Sequence, residues 1–213
     1  MSNTDPSTTD EELSSDNTLR RRIVQTFGGI GVVSFAAAML TPIKTLGVNA
    51  EGGGSVELEG QTLVLAEKYQ PPDGDTTYEV GEPVTVDMMD MPDSILTFPE
   101  ELVDSNSDMI RLHRLPEDEI TDPTNPDWTA EGYVAYSAIC THLGCTVDWD
   151  TSDETATGRP TDHCFCHGSQ FDPYEGAEVV HPPAERPLPQ IGLAVGDEDV
   201  IELTSDFDAK VGT

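Results

Sequence analysis

Cys140-Thr141-His142-Leu143-Gly144-Cys145 and Cys164-Phe165-Cys166-His167-Gly168-Ser169 together hold all four cysteines of a 213-residue chain within 27 residues, with two of its five histidines. Thiols buried only for packing are scattered along a sequence, so cysteine confined to one short region marks a site. Each segment supplies one Cys and one His at short spacing, Cys140 with His142 and Cys164 with His167. One loop can then present a thiolate and an imidazole to neighbouring metal atoms. Cys145 and Cys166 are left over, one in each segment, and can bridge the loops. A tetrahedral zinc knuckle also takes Cys and His at such spacings, but it leaves the second cysteine pair and the Gly-Ser after His167 without a purpose. Two plain disulfides would make the histidine spacings a coincidence.

C-x-H-x-G-C followed by C-x-C-H-G-S resembles the Rieske iron-sulfur proteins of quinol-oxidising cytochrome complexes, whose [2Fe-2S] cluster has one iron held by two Cys and the other by two His. The resemblance implies Cys140 and Cys164 on the inner iron, His142 and His167 on the outer iron, and a disulfide between Cys145 and Cys166. Respiratory and photosynthetic members and the small subunit of arsenite oxidase carry that pair, whereas Rieske ferredoxins and ring dioxygenases generally lack it. It also implies an oxidising compartment. Leu143, next to His142, and Ser169, which matches the family's serine donor to a cluster sulfur, complete the expected cofactor contacts with Phe171. Phe171 stands where high-potential members carry tyrosine. Hydrogen bonds to the sulfurs favour the more negative reduced state, so a residue without a hydroxyl predicts a lowered potential.

A third stretch, His181-Pro182-Pro183-Ala184 continuing to Arg186-Pro187-Leu188-Pro189-Gln190, resembles the proline-rich loop that covers the cluster in this family. His181 replaces the usual glycine and reads as an ordinary surface residue, as do His113 and His163. The spacer from Leu143 to His163 exceeds that of most relatives and carries Asp148, Asp150, Asp153 and Glu154, which predicts a solvated acidic loop. The likeness covers about residues 133–190; residues 56–131 match no motif.

Working outward, 41 acidic residues face 10 basic ones, a net charge of −31. Three of the basic residues are Arg20, Arg21 and Arg22, leaving seven for the rest. Such a surface repels nucleic acid and anionic lipid. It also repels itself, a penalty that largely disappears at molar salt, where the screening length is about 3 Å. The composition is that of an extreme halophile, a halophilic archaeon or similar.

Residues 1–19 are polar and without apolar period, which predicts a disordered tail. Residues 20–46 join the arginine run to Ile23–Leu40, 18 residues without a charge. They predict a twin-arginine-like signal and a single transmembrane anchor, with the bulk of the chain on the extracytoplasmic side. Ala36-Ala37-Ala38 also satisfies a cleavage pattern. Residues 47–55, GVNAEGGGS, predict a flexible tether.

From Val56 onward, strand signals at Thr62–Ala66, Val84–Met88, Met109–Leu112, Tyr133–Ile139, Leu193 and Val200–Leu203, with one helical turn at Pro99–Asp104, predict an all-β body. Residues 56–213 are expected to form a Rieske-type antiparallel β-sandwich with a cluster-binding subdomain at about 138–185, preceded by one transmembrane helix. The resemblance implies an electron carrier that is not an enzyme alone. Quinol would hydrogen-bond to His142 or His167, give one electron here and a proton to a histidine, and leave its second electron to a cytochrome b-type membrane subunit. The acceptor would be a c-type cytochrome or copper protein. The alternative is a relay subunit of another exported oxidoreductase, similar to arsenite oxidase or a nitrate-respiration complex.

Overall fold

The computed structural model describes residues 57–213 apart from Asp73 and Asp104. The expected tail, anchor and tether at 1–19, 20–46 and 47–55 lie outside the described residues. Among the described residues no helix is long and apolar enough to cross a membrane.

Strand periodicity builds two cores on opposite faces of one sheet. Strands β1 (Leu63–Leu65), β2 (Asp93–Pro99), β3 (Ile110–Arg114) and β4 (Tyr133–Ser137) pair antiparallel in sequence order. The sheet is completed beyond β4 by the short strand Gln190–Ile191. In β3, Ile110 and Leu112 enter a first core with Leu63, Leu65 and Ile95. Arg111 and His113 point the other way, and they too are buried. In β4, Tyr133 and Ala135 join the first core while Val134 and Tyr136 join a second one. All five residues of β4 are therefore buried, which is why an antiparallel strand reads as a continuous apolar run. Each fully buried Leu, Ile or Val in these layers contributes about 1.5–3 kcal/mol relative to exposure.

The first core is closed by a hairpin, Leu193–Val195 paired with Ile201–Leu203, whose Leu193, Ile201 and Leu203 face it. The second core lies under a four-stranded antiparallel sheet: β5 (Asp148–Asp150), β6 (Thr161–Cys164), β7 (Ser169–Asp172) and β8 (Glu178–His181). It holds Cys140, Val147, Cys164, Phe171 and Leu188. The all-β expectation agrees with this architecture: every strand pair is antiparallel, and the helical elements among the described residues are single 3-10 turns, one of them Glu100–Leu102.

Two expectations need correction. Val84–Met88 is not a strand: Thr85 makes one isolated bridge to Val200, and Met88 N–H closes a turn onto the Thr85 carbonyl. Val84 and Met88 are buried, and Val86 is partly so, without a regular ladder. The spacer between the cysteine segments is not all loop either, because Asp148-Trp149-Asp150 pairs with Thr161–His163.

Candidate metal centre

The two cysteine- and histidine-bearing segments close in the same way. In the first, Gly144 N–H donates to the Cys140 carbonyl at 3.0 Å; in the second, Gly168 N–H donates to the Cys164 carbonyl at 2.9 Å. Both glycines adopt left-handed backbone, φ +80° and +87°. A side chain at either would meet no atom within 4 Å, so it is the backbone angle and not space that calls for glycine. Cys145 and Cys166 then join the loops by a disulfide spanning 21 positions.

Cys140 and Cys164 remain free and fully buried. Burial first, then a hydrogen bond to Cys140 and repulsion by it, pushes the Cys164 thiol up to about 11. The backbone N–H groups of Cys166 and His167 aim at the same sulfur and pull the other way, favouring a thiolate. The Cys164 sulfur lies within 4.8 Å of both disulfide sulfurs, which have no thiolate to offer a metal. The remaining donors are imidazoles. His142 and His167 sit edge to face with ring centroids 4.9 Å apart. His167 is exposed and His142 half-buried, its inward Nδ1 lacking any hydrogen-bond partner. Leu143 and Phe165 flank the histidines, both more than 60% exposed.

Ser169 is fully buried, and its Oγ accepts from Ala184 N–H at 3.0 Å, which leaves the hydroxyl hydrogen for a second acceptor. Phe171, equally buried, packs in the core that holds Cys140 and Cys164. The proline loop lies against both segments: Thr141 Oγ1 donates to the Arg186 carbonyl at 2.7 Å, and His181 Nδ1–H reaches the Gly168 and Pro182 carbonyls.

A family model described as the Rieske [2Fe-2S] domain matches residues 77–192. The chain belongs to that family. Its cofactor is one [2Fe-2S] cluster, and the donor set of the two loops fits it: Cys140 and Cys164 are free, buried and in contact with each other, His142 and His167 pair edge to face, and a buried nitrogen of His142 stands without a partner. The Rieske subunit of the cytochrome bc1 complex of Streptomyces lividans is 40% identical over 105 residues, 48% of this chain and 58% of that protein. The corresponding subunit of Streptomyces coelicolor is also 40% identical, over 28% of its length, so the chain matches only part of these relatives. A Rieske protein of Haloferax mediterranei, assigned by name to a respiratory nitrate reductase, is 31% identical over 175 residues, 78% of this chain and 74% of that protein. The soluble domain of the Rieske protein II of Sulfolobus acidocaldarius superposes with a TM-score of 0.38 at 23% identity, over 49% of this chain and 65% of that chain.

Two of the other histidines depart from the surface reading. His113 is fully buried, and its Nε2–H donates to Asp162 Oδ2 at 3.0 Å, linking β3 to β6. His163 is mostly covered, with its Nδ1–H 2.9 Å from Asp150 Oδ2 and its ring 4.0 Å from that of Phe165. This bond holds the Asp150 carboxyl below its usual range. His181 is exposed as expected, yet bonded to the carbonyl beside His167. Arg111 escaped sequence reading altogether. Fully buried, it donates to the Val147 carbonyl at 2.7 Å, below the cluster unit. Its one sequence signal is the alternation Ile110-Arg111-Leu112-His113, which puts polar residues on a face that a second layer covers.

Proposed function

We propose that this Rieske protein takes single electrons from a quinol and passes them to a c-type cytochrome or copper protein, as a subunit of a cytochrome bc-type membrane complex. Cys140 and Cys164 would hold the inner iron, His142 and His167 the outer iron. When bound, the cluster supplies a one-electron acceptor whose reduction adds negative charge. The chain's own residues do the rest. An exposed imidazole at His167, and the half-buried one at His142, offer a quinol hydroxyl a hydrogen-bond acceptor and then a place for its proton. Beside His142 opens a cavity of about 540 Å³ lined by Thr141, Pro183, Glu185 and Arg186. Leu143 and Phe165 give the tip an apolar rim in an otherwise acidic protein. The observation that carries the reading is the edge-to-face pair of accessible histidines on the same two loops that hold two free, buried thiols. The cytochrome bc1 subunits among the relatives support the choice of complex, and residues 20–46 supply the proposed membrane anchor, with residues 47–55 as a tether for a mobile head of residues 56–213.

A second reading is a relay subunit of a nitrate-respiration complex, in which no quinol meets the histidines. It is favoured by the Haloferax mediterranei relative, whose alignment is longer than that of the Streptomyces subunits. Electron paramagnetic resonance of reduced membranes, with and without a quinol-site inhibitor, separates the two. A low average g value that shifts with inhibitor is expected for quinol oxidation; an unshifted signal would replace it by the relay, and no signal in intact protein would sink both.

A further inference from the structure

The proline loop, residues 182–189, holds four prolines, Pro182, Pro183, Pro187 and Pro189, which have no backbone N–H to give. Its backbone bonds are therefore few: Ala184 N–H to Ser169 Oγ, Leu188 N–H to the Ala177 carbonyl, and Ser137 N–H to the Pro189 carbonyl. Packing fixes only part of it: Ala184 and Leu188 are buried in the second core, while a cavity of about 230 Å³ adjoins Arg186, Pro187 and Pro189. Its place therefore depends on a few discrete ties, and two meet at Arg186. The Arg186 carbonyl accepts from Thr141, the residue between Cys140 and His142. The Arg186 guanidinium donates to the Lys210 carbonyl at 2.8 Å and to the Gly212 carbonyl. That segment is itself anchored, since Asp208 N–H donates to the Gln190 carbonyl and Gln190 N–H returns to Asp208 Oδ1. Gly212 is buried beside Ile139, the residue before Cys140: a methyl added there would meet Ile139 Cγ2 at 3.4 Å. The contacts thus run in a ring from Thr141 through Arg186 and Gly212 back to Ile139.

We infer that Arg186 is a positioning residue for the His142 loop, its guanidinium fork fastening the proline loop to residues 210–212 so that its carbonyl fixes Thr141. The inference rests on the ligand reading given above for Cys140 and His142. In a chain with 41 acidic residues, an arginine that spends these bonds on two carbonyls is placed for geometry rather than for charge. The guanidinium donates from two separate nitrogens held in one plane; a lysine keeps the charge but gathers its donors on one nitrogen and loses that span.

The test uses the full chain carrying its cluster, as wild type and as Arg186→Lys, Arg186→Met, Thr141→Val and Thr141→Ser. Amide hydrogen exchange across residues 139–144 is expected to quicken by about tenfold in both Arg186 variants and in Thr141→Val, while Thr141→Ser stays at the wild-type rate. The midpoint potential and g values of the three faster variants should move in one direction. The double variant Arg186→Met with Thr141→Val should do no more than the larger single change, because both break one ring. Wild-type behaviour of Arg186→Lys in exchange and potential would overturn the proposal and leave charge alone. A lowered melting temperature in Arg186→Met with exchange, potential and g values unmoved would reduce Arg186 to ordinary packing. Failure of the ligand reading looks different: the wild type itself would then lack a histidine-ligated signal, while hydrogen exchange would still report on the ring.

Discussion

Replacing Cys145 and Cys166 together by serine removes the one covalent link between the two ligand loops, and its cost can be worked out from the chain. The bridge closes a span of 21 positions. In the chain-entropy treatment, a loop of that size removes about 11 cal/mol/K from the unfolded ensemble, about 3 kcal/mol at 25 °C. The treatment applies when the native state is left intact, and each loop here is closed independently by its own glycine-to-cysteine hydrogen bond. Both cysteines must go, since Cys166 is exposed and lies within 4.8 Å of Cys164, where a single free thiol would exchange or capture metal. Urea unfolding at molar salt is the assay, with midpoint and slope both fitted, because a released unfolded chain expands and raises the slope. For a domain of this size the expected loss lowers the melting temperature by about 10 °C. A loss under about 1 kcal/mol would refute the entropic argument, and one above about 5 kcal/mol would mean that the bridge holds the native loops themselves.

Serine in place of His142 or His167 should abolish the signal of a histidine-ligated cluster, and an unaltered spectrum would refute the ligand assignment. Phe171→Tyr should raise the midpoint potential by about 60 mV if the new hydroxyl gives a ligand sulfur about 1.4 kcal/mol more in the reduced state, measured by redox titration; no shift or a fall would disprove it. Tyr133, fully buried and bonded to the Val86 carbonyl, has its phenol pushed up to about 12 by burial. With the folded value above the unfolded one near 10, its contribution of about 3 kcal/mol is complete below pH 10 and is lost as the pH rises through 12. Tyr133→Phe should flatten that alkaline decline in melting experiments. Lowering salt from molar to about 0.1 M lengthens the screening distance from about 3 to about 10 Å, so a chain of net charge −31 should melt at lower temperature; a flat salt dependence would count against self-repulsion.

The cluster region was legible because its chemistry is local: the proposed ligands, the disulfide cysteines and the closing glycines all fall within two six-residue segments. The strands around it were harder. Asp93–Pro99 does not read as a strand because Pro92 and Pro99 bracket it with turn signals, although Ile95, Thr97 and Phe98 are buried as a strand's residues would be. Val84–Met88 has the apolar content of a strand, but its backbone bonds singly to Leu63, Asp199 and Ile201 and then closes a turn at Met88, so no ladder forms. The thirteen residues from Asp150 to Asp162 look uniformly polar, yet Asp150 is held by His163 and Asp162 is buried. Their partners come from distant segments, and no local pattern carries that information.

His113 shows most clearly why the middle of the chain resisted reading. Taken alone, Ile110 to Arg114 is a half-buried strand with one polar face, and its histidine belongs in water. In the fold that polar face is a floor. Arg111 holds the Val147 carbonyl, His113 holds Asp162, and Tyr136 donates to the Pro173 carbonyl, so three polar side chains from two neighbouring strands grip the cluster unit from below. An apolar floor of the same volume would be as stable or more so, since burying a charged or polar pair costs desolvation that its own bond only partly offsets. What directional bonds add is registry: apolar layers can slide, whereas Nε2 of His113 reaches Asp162 Oδ2 in one alignment only. Asp162 stands two residues before Cys164 on the same strand, so the floor fixes where that thiol lies. The long segment before the cysteines, which matches no motif, thus sets the register of the unit above it through these three bonds.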